Sequence, residues 1–250
     1  MFSPKWSKVA AAACSFIVSA MLSSPVQATS FNITSAKVLS PPGFVIAKIF
    51  YPGLGPHNNE KVKVGRTQLD GTDQGGHSVS IAAYCVDIFD HLQPGTFSTA
   101  DLSATPFDAA RLANATTYLA HADGLVVDAN SSAAAQLGLW EILYEGTGTA
   151  WNVSSGTFRS DIGAPAATLA NGWLGALANH TWQPDPTLSL ELLVPQKGNQ
   201  LQVRLVAGTR SALPAVPEPA SWAMMLSGFG MIGGTLRARR SRVGQTNALV

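Results

Sequence analysis

The chain has 250 residues, of which 12% are charged and 46% hydrophobic, and a formal net charge of +1. So balanced a charge offers no basic surface for nucleic acid, and so apolar a composition is not that of a disordered polymer. With two cysteines in all, Cys14 and Cys85, a disulfide-stapled scaffold is excluded as well.

In chain order, residues 1–28 begin with Lys5 and Lys8, run through apolar residues from Val9 to Leu22, and close on Val26-Gln27-Ala28. That is the order of a signal peptide, expected to be removed on export together with Cys14. A lipid anchor at Cys14 is the competing reading, but Ala11 stands where such sites usually carry a larger aliphatic residue. Residues 29–212 suffice for one domain with its own core. "FNITSAKVL" and "GFVIAKIFY" are β-branched runs separated by Pro41-Pro42, and "KVKVG" alternates before a turn-rich "LDGTDQGG". "HSVSIAAYCVDIF" alternates again, with Val79, Ile81 and Ala83 on one face and Ser80, Ala82 and Tyr84 on the other, which puts Cys85 near a strand end.

The period then changes. "SATPFDAARLANATTYLAHA" predicts a helix capped by Thr105 with Pro106 in its first turn. A second helix begins near Asn130 or Ser131 and ends at Gly146, and "IGAPAATLANGWLGALANH" predicts a third. "LSLELLVPQKGNQLQVRLVAG" reads as a hairpin about a Gly-Asn turn. The expected fold class is α+β: a strand-rich, sandwich or barrel-like layer built from both ends of the domain with a helical insertion in the middle. An N-terminal signal helix and a C-terminal hydrophobic helix are expected to flank it.

Residues 213–242 hold Pro217-Glu218-Pro219, an apolar run from Ser221 to Leu236, and Arg237, Arg239, Arg240 and Arg242, with a tail at 243–250. The run falls short of the ~20 residues of a comfortable membrane span, and the arginines behind it favour a cytoplasmic C-terminus. Together these residues closely resemble the PEP-CTERM sorting signal of Gram-negative bacteria. The resemblance implies a short transmembrane segment inserted transiently in the inner membrane, recognition of the tripeptide by exosortase, removal of the tail, and release to the cell surface or extracellular matrix. The "VGQTNALV" extension beyond the arginines departs from the usual signal.

Within the domain two residues are out of place. Cys85 has no disulfide partner once Cys14 is gone, and Gln136 stands among alanines and leucines on the face of the second helix that also carries Trp140. Burying an unpartnered carboxamide costs about 1–3 kcal/mol. One reaction accounts for both: a thiolate held against a carboxamide carbonyl expels ammonia and leaves an internal thioester, provided the two are positioned closely.

"YCVDI" followed by "AAQLGLWEILYE" resembles the thioester domain of bacterial surface proteins, first known from adhesins of Gram-positive bacteria. The resemblance, confined mainly to residues 80–145, implies a thioester between Cys85 and Gln136, supported by Tyr84, Leu139 and Trp140, and covalent capture of an amine on an as yet unspecified surface target, hence adhesion. Such a protein reacts once per molecule and is not an enzyme. Gly138 stands where the family motif often has alanine, and the segment between the motifs is short for the family. Asp87 is a candidate for holding the backbone of the site through hydrogen bonds.

Other readings stay open at this level. Cys85 is also compatible with a small buried hydrophobe, in a non-covalent structural protein of the exopolysaccharide matrix. With His77, His91, His121 or His180 as base it would suit a secreted cysteine hydrolase or acyl transferase. No spacing along the chain marks a metal site, and no cofactor is expected.

Overall fold

A closed barrel organises the molecule, and the computed structural model describes residues 28–39, 41–196 and 198–208 of it. Its six strands are β1 (Ser30–Val38), β4 (Thr67–Asp73), β5 (Ser78–Cys85), β9 (Gln202–Ala207), β8 (Leu188–Pro195) and β6 (Gly95–Ala100), hydrogen-bonded in that order with β6 returning to β1. All neighbours are antiparallel. Strands from both ends of the domain therefore meet, and closure leaves the barrel no free edge to template aggregation. A small sheet of β3 (Lys61–Val64), β2 (Val45–Phe50) and β7 (Arg159–Ser160) lies outside it.

Alternation fills the barrel. Phe31, Ile33, Leu69, Ile81, Ala83, Phe97 and Leu193 form its buried interior, each large side chain contributing about 1.5–3 kcal/mol. The opposite face of β5, β8 and β9 packs under the helices α1 (Ala109–Ala122), α2 (Ala129–Tyr144) and α3 (Ala164–Ala178) in a second, larger core. α2 is buried along nearly its whole length, from Ser131 to Leu143, because α1, α3 and the small sheet cover it on several sides.

Several expectations change in detail. "LDGTD" is strand rather than turn: Gly71 lies where β1 approaches so closely that a Cβ would strike the Asn32 carbonyl, so the glycine serves strand contact. The turn itself shrinks to Gln74–His77, held by Asp73 Oδ1 accepting from the Gly75 and His77 N–H groups at 2.9 Å. α1 starts at Ala109 with Asp108 as its cap, its carboxylate accepting from Arg111 N at 2.9 Å, and Thr105-Pro106 lie before it. The carboxylate three residues from a helical N–H outcompetes the proline signal. β6 carries too little alternation to be predicted. Among the described residues no helix is long and apolar enough to cross a membrane; the signal helix and the sorting helix fall outside them.

Gly138 has a specific reason. A Cβ there would overlap the hydroxyl of Tyr118, which is fully buried and donates to the Ala134 carbonyl at 2.9 Å. Gly138→Ala is expected to destabilise the protein by about 1–3 kcal/mol through overpacking, seen as a fall in Tm of several degrees in calorimetry.

One buried charge sets a pH dependence. Glu141 of α2 accepts from Asn152 N at 2.7 Å through Oε1, while Oε2 has no partner among the described residues. Burial, with Glu145 nearby, pushes its carboxyl up to about 8 from 4.5. The folded chain thus holds a proton that the unfolded chain releases, so this contribution is complete below pH 4.5 and is lost as pH rises through about 8. Glu141→Gln should remove that loss, raising Tm more at about pH 8.5 than at about pH 5, which scanning calorimetry at the two values checks.

Candidate functional site

Cys85 is the last residue of β5, and by alternation its side chain shares the face of Ile81 and Ala83. It is 7% exposed and free. At this end of the barrel the interior turns polar: Thr67, the neighbour of Leu69 on the same face, is buried, and Gln202, which opens β9, is fully buried. Cys85 and Gln202 are direct register partners across the β5–β9 pair, the arrangement that brings Cβ atoms to about 4.5–5.5 Å.

The sulfur faces two carboxamides. Gln202 Nε2 donates to Cys85 Sγ at 3.1 Å and Gln202 Oε1 lies 3.5 Å from it. The sulfur thus faces the N–O edge of this amide, a hydrogen-bonding approach that leaves the carbonyl carbon behind that edge. The thiol itself donates to Gln200 Oε1 at 2.8 Å. Gln200 is held in turn by its own Nε2 donating to the Asp87 carbonyl at 2.6 Å, and it accepts from Gln202 Nε2 at 3.2 Å. Thr67 Oγ1 lies 2.9 Å from Gln202 Oε1 and 2.8 Å from the Ala83 carbonyl, one hydroxyl proton between two acceptors.

Gln136 also reaches Cys85, but at the main chain. Its Oε1 accepts from Cys85 N at 2.9 Å and its Nε2 donates to the Cys85 carbonyl at 2.8 Å. The side chain so completes the hydrogen bonding of the final strand residue as a neighbouring strand would. The buried amide expected to react with the sulfur is thus held against the same residue, while the sulfur itself is hydrogen-bonded by Gln200 and Gln202. This is the polar reason for a glutamine inside α2.

The expected supporting residues divide. Trp140, 3% exposed, lines the cavity that reaches Cys85, and its indole N–H has no protein partner among the described residues. Leu139 is wholly buried in the helical core. Tyr84 points away from the sulfur, its hydroxyl donating to Asp123 Oδ1 at 2.6 Å beside Arg66, which pairs with the same oxygen at 2.9 Å. Asp87 shapes the turn after β5 by accepting from Phe89 N at 2.7 Å. Gln200 and Gln202 carry little to single them out in the sequence: Gln202 alternates with Leu201 and Val203 and so reads as solvent-facing, and its only signal is its place in the glutamine-rich "QKGNQLQ".

Burial pushes the Cys85 thiol up to about 12, with Asp87 adding to the rise and the Gln202 hydrogen bond opposing it. A thiol so held is protonated at neutral pH and a poor external nucleophile. No histidine nitrogen lies in hydrogen-bond reach of the sulfur among the described residues. His77 pairs with Asp73 at 3.1 Å, and His121 bonds the Gln183 carbonyl at 2.9 Å. The cavity beside Cys85, about 280 Å³, is lined also by His57, Glu60 and His91.

Comparison with known proteins adds the tail. A family model of the PEP-CTERM protein-sorting motif matches residues 215–240. The match takes in Pro217, Glu218, Pro219, Arg237, Arg239 and Arg240, all outside the described residues. The motif implies processing by exosortase and export to the surface or extracellular space. No curated protein matches the chain. Among solved structures, the N-terminal domain of the Streptococcus pyogenes pilus tip adhesin Cpa is similar at 13% identity and a TM-score of 0.39, over 70% of this chain and 99% of that one.

The clasp on Cys85 is testable by itself. Gln136→Leu keeps the volume but strands a buried N–H and a buried carbonyl, and should cost about 2–6 kcal/mol in urea unfolding, each group being worth about 1–3.

Proposed function

We propose that this exported surface protein carries an internal thioester between Cys85 and Gln136 and uses it to capture amines covalently. The observation that supports the reading is the contact between the two residues: the Gln136 carboxamide lies against Cys85, hydrogen-bonded to its N–H and its carbonyl at 2.9 and 2.8 Å, inside a buried layer. Gln202 meets the sulfur with the N–O edge of its amide, as a hydrogen-bond partner.

In the forming step, Sγ attacks the Gln136 carbonyl carbon. The S–C bond forms, the C–Nε2 bond breaks, and the thiol proton leaves with the amide nitrogen as ammonia. Positioning replaces an effective concentration of ~10⁵ M or more, which offsets the poor nucleophilicity of a thiol titrating near 12. In the capture step an amine, such as a lysine side chain or a polyamine, enters from the cavity beside Cys85 and attacks the same carbon. An amide forms, the C–S bond breaks, and the amine proton passes to the sulfur. Thiolate is a far better leaving group than an amide nitrogen, so the thioester is the activated state. One capture consumes it, which makes the protein a single-use adhesive reagent.

Intact mass spectrometry of the exported protein tests this. Wild type should be lighter by one ammonia than its sequence requires, and methylamine should add its whole mass to that form, with fragmentation placing the methylamide on Gln136. Cys85→Ala and Gln136→Glu should show neither. A methylamide on Gln202 or Gln200 would overturn the pairing. A full-mass wild type inert to methylamine would leave a non-covalent matrix protein, and sustained hydrolytic turnover would make it a cysteine hydrolase.

A further inference from the structure

We propose that His57, Glu60 and His91 form a binding site for a divalent metal ion of zinc chemistry, in the wall of the cavity that Cys85 also lines. The three come from two segments that the chain keeps apart. His57 ends a 3-10 turn at Pro52–His57, Glu60 immediately precedes β3, and His91 lies in the loop after β5. Folding brings their donor atoms within 4.8 Å of one another. His57 Nδ1 is 2.9 Å from Glu60 Oε2, His91 Nε2 is 3.8 Å from Glu60 Oε1, and the two imidazoles meet edge to face with centroids 5.7 Å apart.

An ordinary His–Glu hydrogen bond accounts for the first of these contacts only. The second imidazole stands beyond hydrogen-bond range of the carboxylate, yet at the spacing of a coordination shell. Zinc bonds of about 2.0–2.2 Å place tetrahedral ligands ~3.4 Å apart. Contraction by roughly an ångström closes this set around an ion. Two imidazoles and one carboxylate are a donor set that suits zinc, with the fourth position left for water. The side chains are 48%, 40% and 63% exposed, so an ion can enter and keep that water.

Lys61, Lys63 and Asp90 are the other charged side chains lining the cavity. Lys63 is drawn over the Phe44 ring at 5.0 Å, and Asp90 favours a cation. Bound there, the ion would brace the loop after Cys85 against the segment leading into β3, fixing one wall of the cavity. Neither Cys85 nor any glutamine takes part, so the assignment stands or falls apart from the thioester.

The test uses tag-free protein stripped with chelator and titrated with zinc chloride by calorimetry. One ion per chain and a rise in Tm of several degrees at saturation are expected. The His57→Ala/His91→Ala double variant and Glu60→Gln should lose both while keeping the metal-free Tm, and cobalt should give the strong visible bands of a tetrahedral site only in wild type. Absence of saturable zinc binding, or equal binding by the double variant, would overturn the site; saturable copper binding without zinc would overturn the choice of ion.

Discussion

A single carboxamide ties the two halves of this protein together. Cys85 ends β5 at the point where the barrel runs out of neighbours, and a strand end buried under helices leaves an N–H and a carbonyl in need of partners. Gln136, from the middle of α2, supplies both at 2.9 and 2.8 Å. This clasp, with the Tyr84 and Arg66 contacts to Asp123 at the end of α1, registers the barrel against the helical layer, and the Cys85 side chain has its direction fixed by a backbone that is bonded on both sides.

With the main chain fixed, the glutamines divide the remaining labour. Gln136 holds the backbone, Gln200 accepts the thiol proton, and Gln202 lays its amide against the sulfur. None of the three is interchangeable, because each is positioned by a different element: a buried helix, the loop before β9, and β9 itself. Burial raises the thiol to about 12, which guards it against external electrophiles.

Legibility in the sequence followed the range of the interactions. The strand alternation through Cys85, the helical pairing of Gln136 with Trp140, and the β8–β9 hairpin are all local, and each is present in the structure. Asp108 displaced Thr105 as the α1 cap, and "LDGTD" became strand, because side-chain and inter-strand contacts outweighed glycine and proline signals. Gly138 read as a departure from a motif; Tyr118, twenty positions earlier on another helix, is what requires it. His57 and Glu60 gave no metal signal because their companion His91 is more than thirty residues away.

From the residues alone came an α+β domain, a free thiol at a strand end, a buried glutamine that needed a polar partner, and a sorting motif in the tail, since propensity, periodicity and short motifs act within a few turns of chain. The tertiary structure alone decided which amide the sulfur meets. Cys85 and Gln202 are 117 positions apart, and their meeting depends on the closure of six strands into a barrel and on the register of β5 against β9. Register across a sheet is set by every strand at once, and no window of sequence contains it.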